Sequence, residues 1–408
     1  MEEITNIKIS ELCTKVCSGG TPKSSVPSYY DGNIPWLNTK EINFNRIYST
    51  EKSITEDGLN NSSAKWIDKN AVIVAMYGAT AGKTAISKIP LTTNQACCNL
   101  MINADKADYR FVYYALVSEY NRLASLANGG AQQNLNAQQI KDFEIPFFSL
   151  KDQKRIAKIL STLDDKIELN RRINDNLEQQ AQALFKSWFV DFEPFKDGKF
   201  VDSEMGMIPE GWKVGKLEDI ADVVGGGTPS KANALYFDKQ CIPWITPKDL
   251  SIKKTKFISK GEIDITEEGY KNSSAKKIPL GSVLFSSRAP IGYISIAENE
   301  LTTNQGFKSV VPVKAGTSFL YLYLKANTKA IEAQATGSTF KEASGSLMKS
   351  LCVIIPPDTV FDSFERNAFP FFSAQANVER EIVNLSKARD TLLPRLMSGE
   401  LKINDLNC

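Results

Sequence analysis

From Ile156 a four-three spacing runs through Leu160, Leu163, Ile167, Asn170, Asn174, Leu177, Ala181, Leu184 and Trp188. Most of these positions are apolar and the residues between them are densely charged. That is the heptad seam of a helix that pairs with another helix. A second seam in the same phase runs through Phe364, Ala368, Phe371, Gln375, Val378, Ile382, Leu385, Arg389, Leu392 and Leu396. Apolar positions mostly match apolar positions, while the polar pair Asn170 and Asn174 matches Val378 and Ile382. Polar seam residues fix register at some cost in stability. Pro370 and Pro394 are expected to kink or bound the second helix, because proline lacks the N–H of the helical ladder.

Elsewhere the period changes. The runs AVIVAMY (71–77) and GSVLFSS (281–287) read as buried strands. Longer apolar stretches, 109–126 and 317–334, read as helices, the first ended by Asn-Gly-Gly and the second near Gly337. Strands and helices mixed with Gly, Pro and Asn punctuation indicate an α+β fold class.

Short segments recur in order, at a nearly constant offset of about 210 residues. GGTPK at 19–23 returns as GGTPS at 226–230, and IPWLNTKEI at 34–42 returns as IPWITPKDL at 242–250. TEDGLNNSSAKWI at 55–67 returns as TEEGYKNSSAKKI at 266–278, and LTTNQ stands at both 91–95 and 301–305. A repeat of this length is a duplicated domain, each copy with its own core, and not a short-period solenoid. The expected division is a first α+β module at 1–150, a helix at 151–192, a linker at 193–207, a second module at 208–360, and a helix and tail at 361–408.

Composition adds bounds. The chain of 408 residues is 42% hydrophobic and 24% charged, with a formal net charge of +2. That balance neither demands nor excludes nucleic acid, since a local patch matters more than the total. No apolar run is long enough to span a bilayer, and the acidic, polar start MEEITNIKIS does not resemble a signal peptide, so a cytoplasmic protein is expected. Seven cysteines without framework spacing read as reduced, small buried hydrophobes.

The chain has no histidine, which excludes nucleophile–histidine catalysis and histidine acid–base chemistry and leaves a metal site only thiolates and carboxylates. GATAGKT (78–84) follows a strand, as a phosphate loop does. It has three residues, not four, before its Gly-Lys pair, and the second copy lacks Gly-Lys-Thr there. No catalytic or metal site is expected, and the pattern is that of a reader.

Taken together, these features resemble the specificity subunit of type I restriction-modification enzymes. The resemblance covers nearly the whole chain. It rests on the segment GMIPEGWKVGKLEDIADVVGGGTP (206–229), the doubled LTTNQ, LNAQQIKDFEIP (135–146), the helix segment 153–192 and the ending RDTLLPRLMSGEL (389–401). It implies two tandem α+β target-recognition domains, separated by two long antiparallel coiled-coil helices with an internal pseudo-twofold. Each domain then reads one half of a split double-stranded DNA site through the major groove, while the helices space the domains and dock two methyltransferase (modification) subunits. S-adenosylmethionine, ATP and Mg are expected on partner subunits, which include restriction/translocase subunits, with adenine methylation and ATP-dependent DNA cleavage performed there. A free-standing nucleic-acid-binding regulator without methyltransferase partners is the alternative, and a phosphate-loop enzyme a second.

Two half-sites differ, so segments identical in both modules do not tell them apart. LTTNQ, GGTP and NSSAK are therefore shared scaffold or shared phosphate grip. The residues concerned are Thr21, Lys23, Lys65, Thr92, Thr93, Asn94 and Gln95, with Thr228, Ser230, Lys276, Thr302, Thr303, Asn304 and Gln305 in the second copy. Base readers are expected where matched loops differ. Tyr77–Lys83 is set against Ser287–Tyr293, and 128–136 against 336–344. Gln132, Gln133 and Asn134 suit adenine, Arg288 suits guanine, and Lys341 suits guanine or a phosphate, with Ser338 and Thr339 beside it. Lys40 and Lys248 open charged segments, 40–52 and 248–260, that are candidate phosphate patches. For partner docking the candidates are Arg171, Arg172, Arg389 and Arg395, with Trp188 and Phe189 as buried anchors and Asp164 and Glu168 on the rim.

Overall fold

The computed structural model describes residues 5–127, 134–337 and 341–401. It divides into two compact units, one formed by residues 1–167 with 384–408 and the other by 168–383. In the first, Cys13–Ser18, Cys97–Ile102, Val72–Ala75, Thr84–Ser87 and Asn45–Ile47 lie side by side in that order as one sheet. A second sheet sets out Lys52–Ile54, Tyr30–Leu37, Leu91–Thr93 and Trp66–Ile67. The other unit repeats the topology. Its first sheet runs Ala221–Gly225, Lys308–Pro312, Val283–Ser287, Ile291–Ala297 and Phe257–Ile258. Its second adds an edge strand, Phe237–Asp238, to Asp264–Ile265, Ile242–Ile245, Leu301–Thr303 and Lys277–Ile278.

The central strands Val72–Ala75 and Val283–Ser287 are buried at every position, as continuous apolar runs covered on both faces should be. A helix follows each sheet. Thr317–Gln334 is one helix over the span the sequence predicts. Its counterpart is capped by Asp108, whose carboxylate accepts from the Arg110 N–H at 2.9 Å, and breaks at Glu119 into Tyr109–Ser118 and Tyr120–Ser125.

Two forty-residue helices, Leu150–Phe189 and Asp358–Met397, carry the seams. The second runs through both Pro370 and Pro394, so neither ends it. Their neighbours Ala368, Phe372, Leu393 and Leu396 are buried, and that packing offsets the hydrogen bonds the two prolines cannot make. Within the second unit the helices pair antiparallel, Asn170 reaching Glu381 at 2.9 Å, Asn174 reaching Glu379 at 3.3 Å and Gln375 reaching Glu178 at 3.2 Å. Seam polar residues thus find carboxylates. Toward the end of the first helix the buried residues are Ala181, Phe185 and Phe189, with Leu184 and Trp188 only half-buried. A strict heptad drifts around an ordinary helix, and this stretch packs into a module core as well as on a helix.

A basic residue on the last strand of the first sheet, or just before it, ties each module to its helices. In the first unit Arg46 pairs with Asp165, and Asp164 accepts from the Tyr114 hydroxyl at 2.6 Å and from Arg389 at 2.8 Å. In the second, Lys256 reaches Glu178 at 2.9 Å and Gln375 at 2.7 Å, with its ammonium 3.4 Å from the centre of the Phe372 ring and 4.3 Å from that of Tyr321. Burial lowers the Lys256 ammonium to about 8, against the pull of Glu178.

All six cysteines described are free. Cys97 and Cys98 are fully buried, and burial pushes the Cys13 and Cys98 thiols up to about 12. Cys241 and Cys352 are exposed and depart from the buried-hydrophobe expectation. Among the described residues no helix is long and apolar enough to cross a membrane.

Candidate nucleic-acid interface

The repeated segments converge. In the first unit the Thr92 hydroxyl donates to the Pro35 carbonyl at 2.9 Å, and the Trp36 indole donates to the Gly20 carbonyl at 2.9 Å. In the second, Thr302 donates to Pro243 at 2.9 Å and Trp244 to Gly227 at 3.0 Å. The Gly20 N–H meets the Thr93 carbonyl at 2.9 Å, as the Gly227 N–H meets that of Thr303 at 2.9 Å. Thr55 and Thr266 each cap a short helix through the N–H of Gly58 or Gly269. Thr21 bonds Gln95, and Thr228 bonds Gln305. GGTP, IPW, TE(D/E)G, NSSAK and LTTNQ are thus one clasp, built once per unit.

The clasp is tight enough to specify glycine. A Cβ on Gly20 stands 2.1 Å from the Ala64 nitrogen, and one on Gly227 stands 2.3 Å from the Ala275 nitrogen. Gly227→Ala is expected to destabilise the second unit by at least ~1–3 kcal/mol, the usual cost of overpacking. Two positions earlier, a Cβ on Gly225 meets nothing within 4 Å, so Gly225→Ala is expected to be neutral or slightly stabilising. Denaturant melts of the two variants check the contrast.

Thr92, Thr93 and Thr302 are fully buried and Thr303 is 2% exposed, so these hydroxyls hold strands together and present no phosphate grip. Asn94 and Asn304 turn inward too, accepting from the N–H groups of Ala96 and Gly306. Of the motif only Gln95 and Gln305 are exposed, beside exposed Thr21 and half-buried Thr228. Ser287 is fully buried and bonds the Gly306 carbonyl, which removes it from the readers. Lys23, Lys40, Lys65, Ser230 and Lys276 are exposed. Lys248 is exposed as well, and pairs with Glu262 at 2.7 Å. In the charged segment 248–260, Lys256 is buried and Lys260 pairs with Asp264 at 3.2 Å. Its counterpart places the Arg46 side chain at only 7% exposure. Lys256 and Arg46 are thus withdrawn from any phosphate contact, while Lys40, Lys52, Lys253 and Lys254 stay exposed.

The variable loops stand at the strand ends beside the clasp. Gly78–Thr84 contains a short 3-10 turn and passes directly into the strand Thr84–Ser87, so no helix N-terminus faces a phosphate there. Lys83 instead bonds the Asn43 side chain at 2.8 Å. Tyr77 is 44% exposed and forms a bridge with Asn134. In the second unit Arg288 forms the equivalent bridge with Glu342. Adjacent bonds confirm the register, Leu135 N–H to Met76 carbonyl at 2.8 Å and Ala343 N–H to Ser287 carbonyl at 2.9 Å. Tyr77 therefore matches Arg288, one position away from the match drawn on sequence. The second loop is one residue shorter, and the sequence carries the slip: NSSAK stands at 61–65 and 272–276, LTTNQ at 91–95 and 301–305, so the offset falls by one between them. Arg288 lines a cleft of about 480 Å3 with Thr228, Lys231, Trp244, Lys248 and Gln305. Lys231 and Lys308 escape the sequence reading, as neither lies in a matched loop, and it passes over Glu342 within the loop 336–344 because it expects no carboxylate to face DNA. Lys341 is exposed; Gln132, Gln133, Ser338 and Thr339 lie outside the described residues.

The docking candidates divide. Phe189 is 6% exposed, with ring centres of Phe319 and Phe364 each 4.8 Å away, and Trp188 packs on Phe364 at 5.7 Å. Phe189 belongs to the core of its own unit and is not open to a partner, while Trp188 packs on that core and stays half-buried. Arg389 is engaged by Asp164 and Asp390, and Asp164 is a tether within its unit and not a rim residue. Arg171 and Arg172 are exposed, Glu168 is half-buried, and Arg395 pairs with Glu400 at 3.0 Å on the surface.

Residues 1–179 and 209–360 match the family described as type I restriction modification DNA specificity domain. The chain belongs to this family. It is 31% identical to the type I restriction enzyme MjaIX specificity subunit of Methanocaldococcus jannaschii, over 96% of this chain and 92% of that one. It is 26% identical to the HindI specificity subunit of Haemophilus influenzae, over 90% and 94%. In fold it is similar to the crystal structure of a type I restriction-modification S subunit from M. genitalium, with a TM-score of 0.63 and 18% identity over 97% of each chain. Each match contains one copy of the clasp, so each half of the duplication seen in the sequence is one specificity domain.

Proposed function

We propose that this chain is the DNA sequence-recognition subunit of a type I restriction-modification complex, each module reading one half of a bipartite site through the major groove. The observation that carries the proposal is the pairing of an identical clasp with different chemistry at matched exposed positions, Tyr77 against Arg288 and Asn134 against Glu342. A split site needs two frames of one shape that present different hydrogen-bonding groups to base edges. The chain itself is non-catalytic in this reading. Adenine methylation and ATP-dependent cleavage belong to two methyltransferase subunits and to restriction/translocase subunits that carry S-adenosylmethionine, ATP and Mg. Arg171, Arg172, Glu168 and Arg395 supply surface charge for docking them. A free-standing regulator is disfavoured, because the likeness to specificity subunits extends over nearly their whole length.

Replacing residues 1–150 with the matching module of a relative is expected to change one half of the recognised sequence and leave the other intact. Genome-wide mapping of methylated adenines, with and without the exchanged chain, reads this directly. A change in both halves, or in neither, would count against two independent readers.

A further inference from the structure

Two positions that bridge across the strand ends occur in both modules, and their side chains differ in kind. In the first unit they hold Tyr77 and Asn134, and in the second Arg288 and Glu342. A third position differs with them. Lys308 pairs with Gly225 in the sheet, as Cys98 pairs with Ser18, so a lysine replaces a buried cysteine. Lys308 reaches Glu342 at 3.0 Å with its side chain only 16% exposed. The scaffold around all three positions is the same, so their divergence is not required by the fold.

The second unit's trio has a clear polarity. Glu342 takes a hydrogen bond from Lys308 through one oxygen, and its other oxygen lies 3.8 Å from the Arg288 guanidinium. That second distance is an ion pair too long for a hydrogen bond. Glu342 thus orients the guanidinium by charge without consuming its donors. Arg288 and Glu342 are each 37% exposed at the side chain, and Arg288 lines the cleft together with Thr228 and Gln305. The planar fork of an arginine held in this way matches O6 and N7 of guanine in the major groove. In the first unit the same place offers a phenol and a carboxamide, and asparagine pairs with N6 and N7 of adenine.

We infer that this bridge is the specificity-determining position of each module, with Arg288 selecting guanine in one half-site, Glu342 acting as its positioning residue against the counter-charge of Lys308, and Tyr77 with Asn134 occupying the same place for a different base. The inference rests on the DNA-recognition reading above. Its test is a selection from randomised duplex DNA, using the full-length chain purified with the subunits it brings from its host. Wild type is expected to yield a two-part motif, and failure to yield any motif would sink the recognition reading itself.

Arg288→Ala is expected to lose guanine preference at a single column of one half, a drop of roughly 5- to 150-fold in discrimination. Glu342→Gln keeps the shape and removes the charge, and is expected to weaken the same column. The double variant Arg288→Tyr with Glu342→Asn is expected to change the base chosen in that column and leave the other half unchanged. An unchanged motif in Arg288→Ala, or a uniform loss of affinity across all sequences, would place Arg288 on phosphate and overturn the inference. A changed column in Arg288→Ala with a wild-type column in Glu342→Gln would overturn the positioning role. A thermal melt of each variant separates loss of fold from loss of selection, and the single variants at half-exposed side chains keep the test open if the double variant does not fold.

Discussion

Phe189→Ala is expected to cost the second unit about 3–5 kcal/mol, the usual range for emptying a buried phenylalanine site. The ring sits among six others, with its chain neighbour Trp188 at 6.3 Å. Phe319 and Phe364 lie at 4.8 Å, Phe185 at 5.3 Å, Trp212 at 6.0 Å and Phe361 at 6.4 Å. The edge-to-face pairs with Phe319 and Phe364 add to the area buried. The melting temperature of the isolated chain is expected to fall on the order of 10 °C, followed by the fluorescence of Trp212. A Phe189→Ala chain that melts like wild type while losing only the binding of another subunit would restore the residue to a docking role.

Glu178→Gln is expected to be nearly as damaging, for a different reason. Glu178 bonds both Lys256 at 2.9 Å and Lys325 at 2.6 Å, and the Lys256 side chain is only 4% exposed. Removing the carboxylate leaves a buried ammonium without its hydrogen-bonded counter-charge and with only the weaker pull of Glu379, and breaking a buried pair typically costs about 3–5 kcal/mol. The partly exposed Lys325 and the hydrogen-bonding capacity of glutamine place the expected value near the lower end. The sign of the pH dependence follows from the same geometry. Burial raises the Glu178 carboxyl, but the attraction of Lys256 and Lys325 outweighs it and holds the group at about 2, below its ordinary 4.5. The stability it contributes is therefore fully present above about pH 4.5 and lost as the pH falls through about 2. The gap between wild type and Glu178→Gln should shrink across that acid window. Lys256 acts in the opposite range. Its value of about 8 lies below the ordinary 10.5, so the unfolded chain binds more protons between those limits and stability rises with pH there. Denaturant melts at pH 3, 7 and 9 check all three statements. A second substitution, Lys256→Met, is expected to recover much of the loss.

What is legible in the sequence is what the backbone enforces. Gly227, Trp244 and Thr302 each meet another segment of main chain, so few other residues fit. They recur in order, and the duplication shows in the sequence through them. The long helices are legible for a similar reason, since their period is carried over forty residues. What a pattern does not carry is the identity of the covering partner. Phe189 reads as an apolar helix position, and whether its own chain or another subunit covers it depends on where the sheet and Thr317–Gln334 pack. Lys256 sits in a run of lysines that reads as solvated surface, and only the fold inserts it between Tyr321 and Phe372. The loop register fails by one position because a match carried back from LTTNQ alone overlooks NSSAK, which is one residue further offset and marks the deletion between them. The reading residues are the least legible part. They are the positions the fold leaves unconstrained, so a repeat signals them only by where it stops.

The first unit takes residues from both extremes of the chain, and the second is continuous. Leu393, Leu396 and Met397 share a core cluster with Val72, Phe111, Ile156 and Leu160. On the ribosome, every strand of the first module therefore emerges long before the residues that close its flank, while the second module has all its parts as soon as residue 383 is out. At roughly 5–20 residues per second, the earlier-made module waits many seconds with apolar surface uncovered, and the later-made one is the first able to finish. Order of synthesis and order of completion run in opposite directions, and a chain cut short near its end would lose the integrity of the part made first.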